Sequence, residues 1–288
     1  MREEFDLQLA LSTSASMRSG SRLDQAAGLR SIFRRPLLRV LPVMGAAGAG
    51  AIAARLAECA SAFENVVLLD QTDGDALREL GVLPRAELQD WLDQRVDWTE
   101  AVVRAGRCRL MLGQQALARS RGHRARAAEL FGAILTLPDA ASLAVLHFAS
   151  ATSDFHGIVD GESELLLVVA PGRAAVRLAY AQIKHIHAAH ATRTPVIRVL
   201  ISGASSAAEG ERRFDALAAA ARKFLGIRLL YAGALPVPSA PSAASDMLAA
   251  SPSSGFRAAL AQVTASITGW QLASHSPAPG LSRSPHLQ

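Results

Sequence analysis

Residues 37–57 read LLRVLPVMGAAGAGAIAARLA, and their order decides the fold. An apolar run passes into a loop of small residues and then into an alanine-rich stretch with helical character. Strand, glycine loop and helix in that order make an anion cradle. Loop N–H groups and the helix N-terminus face the anion, and a lysine ordinarily neutralises it. Here the loop is Met44-Gly45-Ala46-Ala47-Gly48-Ala49-Gly50, with no lysine and no Ser or Thr for magnesium. The chain has only two lysines, Lys184 and Lys223, both far along the sequence. The scaffold is shaped for a polyphosphate, and its cations have been removed.

Outward from this stretch, residues 37–235 alternate short apolar runs with helical segments. The runs are 37–43, 65–70, 108–113, 143–148, 164–170, 196–202 and 228–233. Continuous apolar strands separated by helices predict a mostly parallel sheet of about seven strands, covered on both faces. Right-handed crossovers make this an α/β three-layer sandwich. Ligands of such folds sit at the carboxyl ends of the strands.

Composition limits the alternatives. The 288 residues suffice for one large α/β core or one domain with tails. No apolar run approaches the roughly 20 residues needed to cross a bilayer. The N-terminus carries early acids and no continuous apolar core, which argues against a secretory signal. Cys59 and Cys108 are isolated, as expected of buried thiols in a reducing cytoplasm. Net charge is +5, carried almost wholly by arginine, but the arginines are scattered and aromatics are only 5%. A solvated arginine-rich surface therefore fits better than a nucleic-acid partner.

The organisation reads as a polar tail over 1–22, a short helix over 23–35, the α/β domain over 36–236 and a linker over 237–253. An amphipathic helix over 254–272 and a disordered tail over 273–288 follow. In the last helix Phe256, Leu260, Val263, Ile267 and Trp270 fall on one stripe. Two uses fit it: packing on the domain, or docking on a membrane or partner. Its only cation, Arg257, gives little support to an anionic membrane.

Other residue types that suggest chemistry have plainer readings. His185, His187 and His190 do not converge on one metal from a helix. Ser150, Ser153, Asp154 and His156 lack a nucleophile-elbow pattern. Arg34, Arg35 and Arg39 read as a domain-edge patch. Trp91 and Trp98 lie seven apart, on one core-facing stripe if their helix is continuous.

Three segments in order resemble FlhG (also called FleN), a MinD-like family that regulates flagellar number. Residues 24–30, DQAAGLR, resemble its N-terminal DQAxxLR motif. The 37–57 unit resembles its deviant Walker A region. Residues 164–236 resemble its second half, with AYAxIK at 179–184, Ala208-Glu209-Gly210, and RKFLG at 222–226. The likeness covers about residues 23–236 and implies a P-loop NTPase fold of MinD type.

The departures are informative. In register with the family loop, Met44 and Ala49 stand where its two lysines would be, and Gly50 where its magnesium-binding Ser/Thr would be. Asp70 matches the first acid of a DADxG switch. Thr72 replaces the second, with Asp73 adjacent. His147 lies near the place of a Walker B-type aspartate, and Ser202-Gly203 stand where an asparagine would read adenine. Gly45, Gly48 and Gly50 thus form a degenerate nucleotide loop, and Asp70 and Asp73 a degenerate switch. This predicts no catalytic residues, little or no ATP hydrolysis and no cofactor, with ATP and magnesium retained only if the loop still binds them.

The resemblance also implies partners. In the family the N-terminal motif stimulates FlhF, a signal-recognition-particle-type GTPase. Gln25 would orient the attacking water, Asp24 would cap the helix, and Leu29 and Arg30 would dock. The expectation is an FlhG-like binding module in the cytoplasm, at the inner membrane or the cell pole. It would contact an FlhF-like GTPase and flagellar basal-body or regulatory proteins. The alternatives are an active MinD/ParA-class ATPase with an atypical loop, or a MinD-like scaffold of another envelope machine.

Overall fold

A computed structural model describes residues 38–45, 48–120, 123–139, 141–150, 158, 164–190, 193–236 and 254–274. Asp24, Gln25, Leu29 and Arg30 lie outside the described residues, as do Arg34 and Arg35. The expected runs all form strands: β1 (Arg39–Gly45), β2 (Val66–Asp70), β4 (Cys108–Leu112), β5 (Leu143–Phe148), β6 (Glu164–Val169), β7 (Val196–Ser202) and β8 (Leu230–Leu235). A further short strand, β3 (Val103–Ala105), makes a sheet of eight strands among the described residues, in the order β3-β4-β2-β5-β1-β6-β7-β8. Every pairing is parallel except β3 with β4, which turn over Gly106 at φ 60°.

Every residue of β2 and β5 is buried, which is why these strands read as unbroken apolar runs. The sheet separates two cores. On one face lie α1 (Ala49–Ala60), α2 (Asp75–Glu79) and the last helix, Ser254–Ser274. The small side chains of Ala53, Ala54 and Ala57, all fully buried, let α1 approach the sheet closely. On the other face, α3 (Leu88–Leu92), α4 (Trp98–Ala101), α5 (Gln114–Arg119), α6 (Arg124–Thr136), α7 (Arg173–Ala189) and α8 (Ala207–Leu225) cover the remaining strand residues.

Three expectations change on contact with the structure. The Trp91–Trp98 segment is not one helix. It breaks between α3 and α4, where Gln94 adopts φ 59° and Asp97 caps a new start through the Thr99 amide at 2.9 Å. Both tryptophans nevertheless pack against the core. Arg39 is no part of a free basic patch: it pairs with Glu64, both largely buried. Cys59 is only half-buried, whereas burial is the largest cause pushing the Cys108 thiol up to about 12.

For the last helix, α9 (Ser254–Ser274), the structure decides between the two uses its stripe allowed. Phe256, Leu260, Val263 and Ile267 are at most 5% exposed and pack into the core with α1 and the sheet. Of the two uses, packing on the domain is the one these residues make, because they cover a sheet face that would otherwise be bare. The side chain of Trp270 lies outside the described residues. No described helix is long and apolar enough to cross a membrane. Leu260→Ala is expected to destabilise the fold by about 2–5 kcal/mol, measured by denaturant unfolding; a helix held only by solvent or lipid would show almost no change.

Candidate functional site at the loop after the first strand

The loop leaves β1 at Gly45 and enters α1 at Ala49, at the carboxyl end of the sheet. Residues 46 and 47 lie outside the described residues. Gly45 runs against β6 so closely that a Cβ there would collide with the carbonyl of Val168. Gly48 precedes α1 in the left-handed region, at φ 91°, and neither a side-chain cap nor an acid occupies the first turn. The helix end is therefore electropositive only through its backbone N–H groups. The positions aligned with lysines serve packing: Met44 is fully buried and Ala49 is 1% exposed.

Strand register builds what lies beneath. Asp70 and His147 are direct partners across the parallel pair β2–β5. They continue the stripe of Val66, Leu68, Leu143 and Val145 that faces α1, so two polar side chains replace apolar ones at the end of that stripe. Asp70 is 0% exposed and His147 4%. His147 Nδ1 lies 2.9 Å from Asp70 Oδ1.

The Asp70 carboxylate is held by several hydrogen bonds at once. Oδ1 also accepts from the Thr72 amide at 2.9 Å and the Thr72 hydroxyl at 2.7 Å, and Oδ2 accepts from the Ala76 amide at 2.8 Å. Burial pushes the Asp70 pKa up, but the His147 contact and the Thr72 donors outweigh it, holding the carboxyl below its usual range. Thr72 Oγ1 in turn accepts from the Asp75 amide at 3.2 Å. The whole turn 70–76 is knitted around one carboxylate.

The imidazole closes the space above. A Cβ at Gly50 would lie 3.0 Å from His147 Cε1 and 3.4 Å from Nε2. His147 and Gly50 are thus fitted to each other, and a side chain at position 50 requires the imidazole ring to give way.

The other predicted residues fall elsewhere. Asp73 is exposed and its side chain stands outside the Asp70 cluster; its backbone carbonyl accepts from Arg78. At the β7 end Gly203 takes φ 68° against Pro171, leaving no asparagine-like reader beside it. His187 bonds the Thr194 hydroxyl at 2.7 Å, and no metal-binding group of three ligands occurs among the described residues. Sequence reasoning placed Asp70 and His147 separately but missed their pairing, the role of Thr72, and the steric match of Gly50 to the ring. The shared signal was available: Asp70 is the last residue of one apolar strand and His147 the last but one of another.

With this geometry in place, the class is clear: the chain has the fold of MinD/ParA-type P-loop ATPases. MinD of Aquifex aeolicus superposes with a TM-score of 0.57 at 16% identity, covering 81% of this chain and 97% of that one. MinD of Pyrococcus horikoshii complexed with Mg-ADP gives 0.55 at 12%, covering 84% and 100%. A ParA family ATPase from Chlorobium tepidum gives 0.51 at 16%, covering 82% and 98%. No protein-family model and no curated protein matches the sequence.

A carboxyl whose folded pKa is depressed adds stability that is fully present above the unfolded value, near ~3.9, and lost as pH falls through the folded value. Wild-type stability should therefore drop at acid pH below that of ordinary carboxylates. Asp70→Ala should cost about 1–3 kcal/mol at neutral pH by leaving buried donors unpaired, and should flatten that acid limb. Urea titrations from neutral to acid pH read both effects.

Proposed function

We propose that this chain is an FlhG-like regulator of flagellar number and placement that works by protein contact, its ATPase chemistry lost. The observation that carries this reading is the His147 ring packed against Gly50 and hydrogen-bonded to the buried Asp70. Phosphoryl transfer needs neutralised charge, a positioned magnesium and an oriented water. Here the residues in register with the two lysines, Met44 and Ala49, are apolar and buried, and the His147 imidazole lies against Gly50. Charge-assisted hydrogen bonds contribute roughly 1.5–3 kcal/mol each, so losing several weakens a polyphosphate complex by orders of magnitude. The Pyrococcus horikoshii neighbour was solved with Mg-ADP; the loop Met44–Gly50 of this chain carries no lysine and no Ser or Thr.

The flagellar assignment rests on the motif order at 24–30, 37–57 and 164–236. In this reading Gln25 acts in a partner GTPase of FlhF type, with Asp24, Leu29 and Arg30 placing it. Flagellar basal-body or regulatory proteins are further partners. The protein acts in the cytoplasm or at the inner membrane or pole through those partners, since the α9 stripe is committed to its own domain.

Two measurements test the reading. Calorimetry of the purified chain with ATP and magnesium should show no saturable heat in the micromolar range; micromolar, metal-dependent capture would restore the active-ATPase alternative. Removing residues 1–35 should abolish stimulation of a flagellar FlhF-type GTPase. Stimulation that survives the deletion would remove the activator role and favour a scaffold of another machine.

A further inference from the structure

A second recess lies at the carboxyl end of the sheet, on the face opposite α1. It encloses about 520 Å³ between α7 and α8, above the ends of β6 and β7. Its walls are apolar, made by Val169, Ala170, Val176 and Ile201. Arg173, Arg177 and Arg213 also line it, and no acid does. Arg173 and Arg177 are one helical turn apart on α7 and exposed, whereas Arg213 reaches in from α8 and is partly buried.

Glu209, the carboxylate paired with Arg213, is already committed. Glu209 Oε2 accepts from the Ser205 amide at 2.7 Å and the Ser205 hydroxyl at 2.5 Å, closing the start of α8. Its Oε1 accepts from Arg213 Nη2. The other terminal nitrogen of Arg213, Nη1, is shielded from solvent and has no hydrogen-bond partner among the described residues. A buried guanidinium N–H left unpaired is costly, and a carboxylate is its best-matched acceptor.

We infer that this recess binds an acidic peptide segment of a partner protein, an apolar side chain filling the pocket and carboxylates meeting Arg173, Arg177 and Arg213. An inorganic anion would use the guanidinium groups and leave four apolar residues uncovered. A bilayer is flat and cannot reach a recessed apolar wall. An apolar anchor within a charged rim is the arrangement protein interfaces use, and planar Arg forks suit carboxylates. The inference deepens the protein-contact reading of the preceding subsection, but it does not depend on the N-terminal motif or on the nucleotide loop.

The test uses the full chain and a fluorescein-labelled synthetic peptide, Gly-Ser-Glu-Glu-Leu-Glu-Glu-Gly-Ser, followed by anisotropy at low salt. Saturable binding is expected. It should weaken at least ~10-fold in Arg177→Glu, and again when the peptide leucine is replaced by serine. Arg173→Glu provides a second exposed variant, and unchanged thermal melting of both confirms that the fold is intact. Absence of binding, binding indifferent to both arginine variants, or equal binding of the leucine-free peptide would each overturn the inference. So would capture of the chain by phosphatidylglycerol vesicles through Arg177 with no peptide binding. No GTPase enters this assay, so its failure is distinct from failure of the flagellar reading.

Discussion

The pairing of β2 with β5 in one parallel register governs the site. Because Asp70 and His147 are cross-strand partners, their side chains leave the same face at the same height, beneath the first turn of α1. That proximity satisfies the imidazole with a carboxylate, lets the carboxylate organise residues 70–76, and carries the ring over Gly50. A buried carboxylate needs hydrogen-bond partners, and here the facing strand and its own turn supply them. The arrangement is an internal clasp joining β2, β5 and the turn 70–76.

The same sheet distributes its two faces to different tasks. The face under α1 is sealed by α9, whose apolar stripe is buried against the core. The opposite face, between α7 and α8, ends in a recess with exposed arginines and apolar walls. The Asp70–His147 pair lies on the α1 face at the carboxyl end of the sheet, and the arginine-lined recess lies on the other face at the same end.

Much of this architecture was legible before any coordinates. Seven apolar runs became seven strands because fully buried parallel strands are apolar on both faces. β3 escaped notice because three residues, Val103 to Ala105, gain their identity only from pairing with β4. The Trp91–Trp98 break was equally silent, since Gln94 carries no turn signature and only the tertiary path forces its left-handed backbone. The α9 stripe was visible as a stripe, but amphipathicity by itself does not say what covers it.

The chain's order of residues alone determined the layered α/β class, the small-residue loop after the first strand and its lack of lysine, because periodicity and residue type are local properties. Only the tertiary structure decided that Asp70 meets His147 across 77 positions of chain, that the ring stands over Gly50, and that three arginines share one recess. Those facts depend on strand register and helix placement, which are set by the summed packing of the whole sheet and by no single segment.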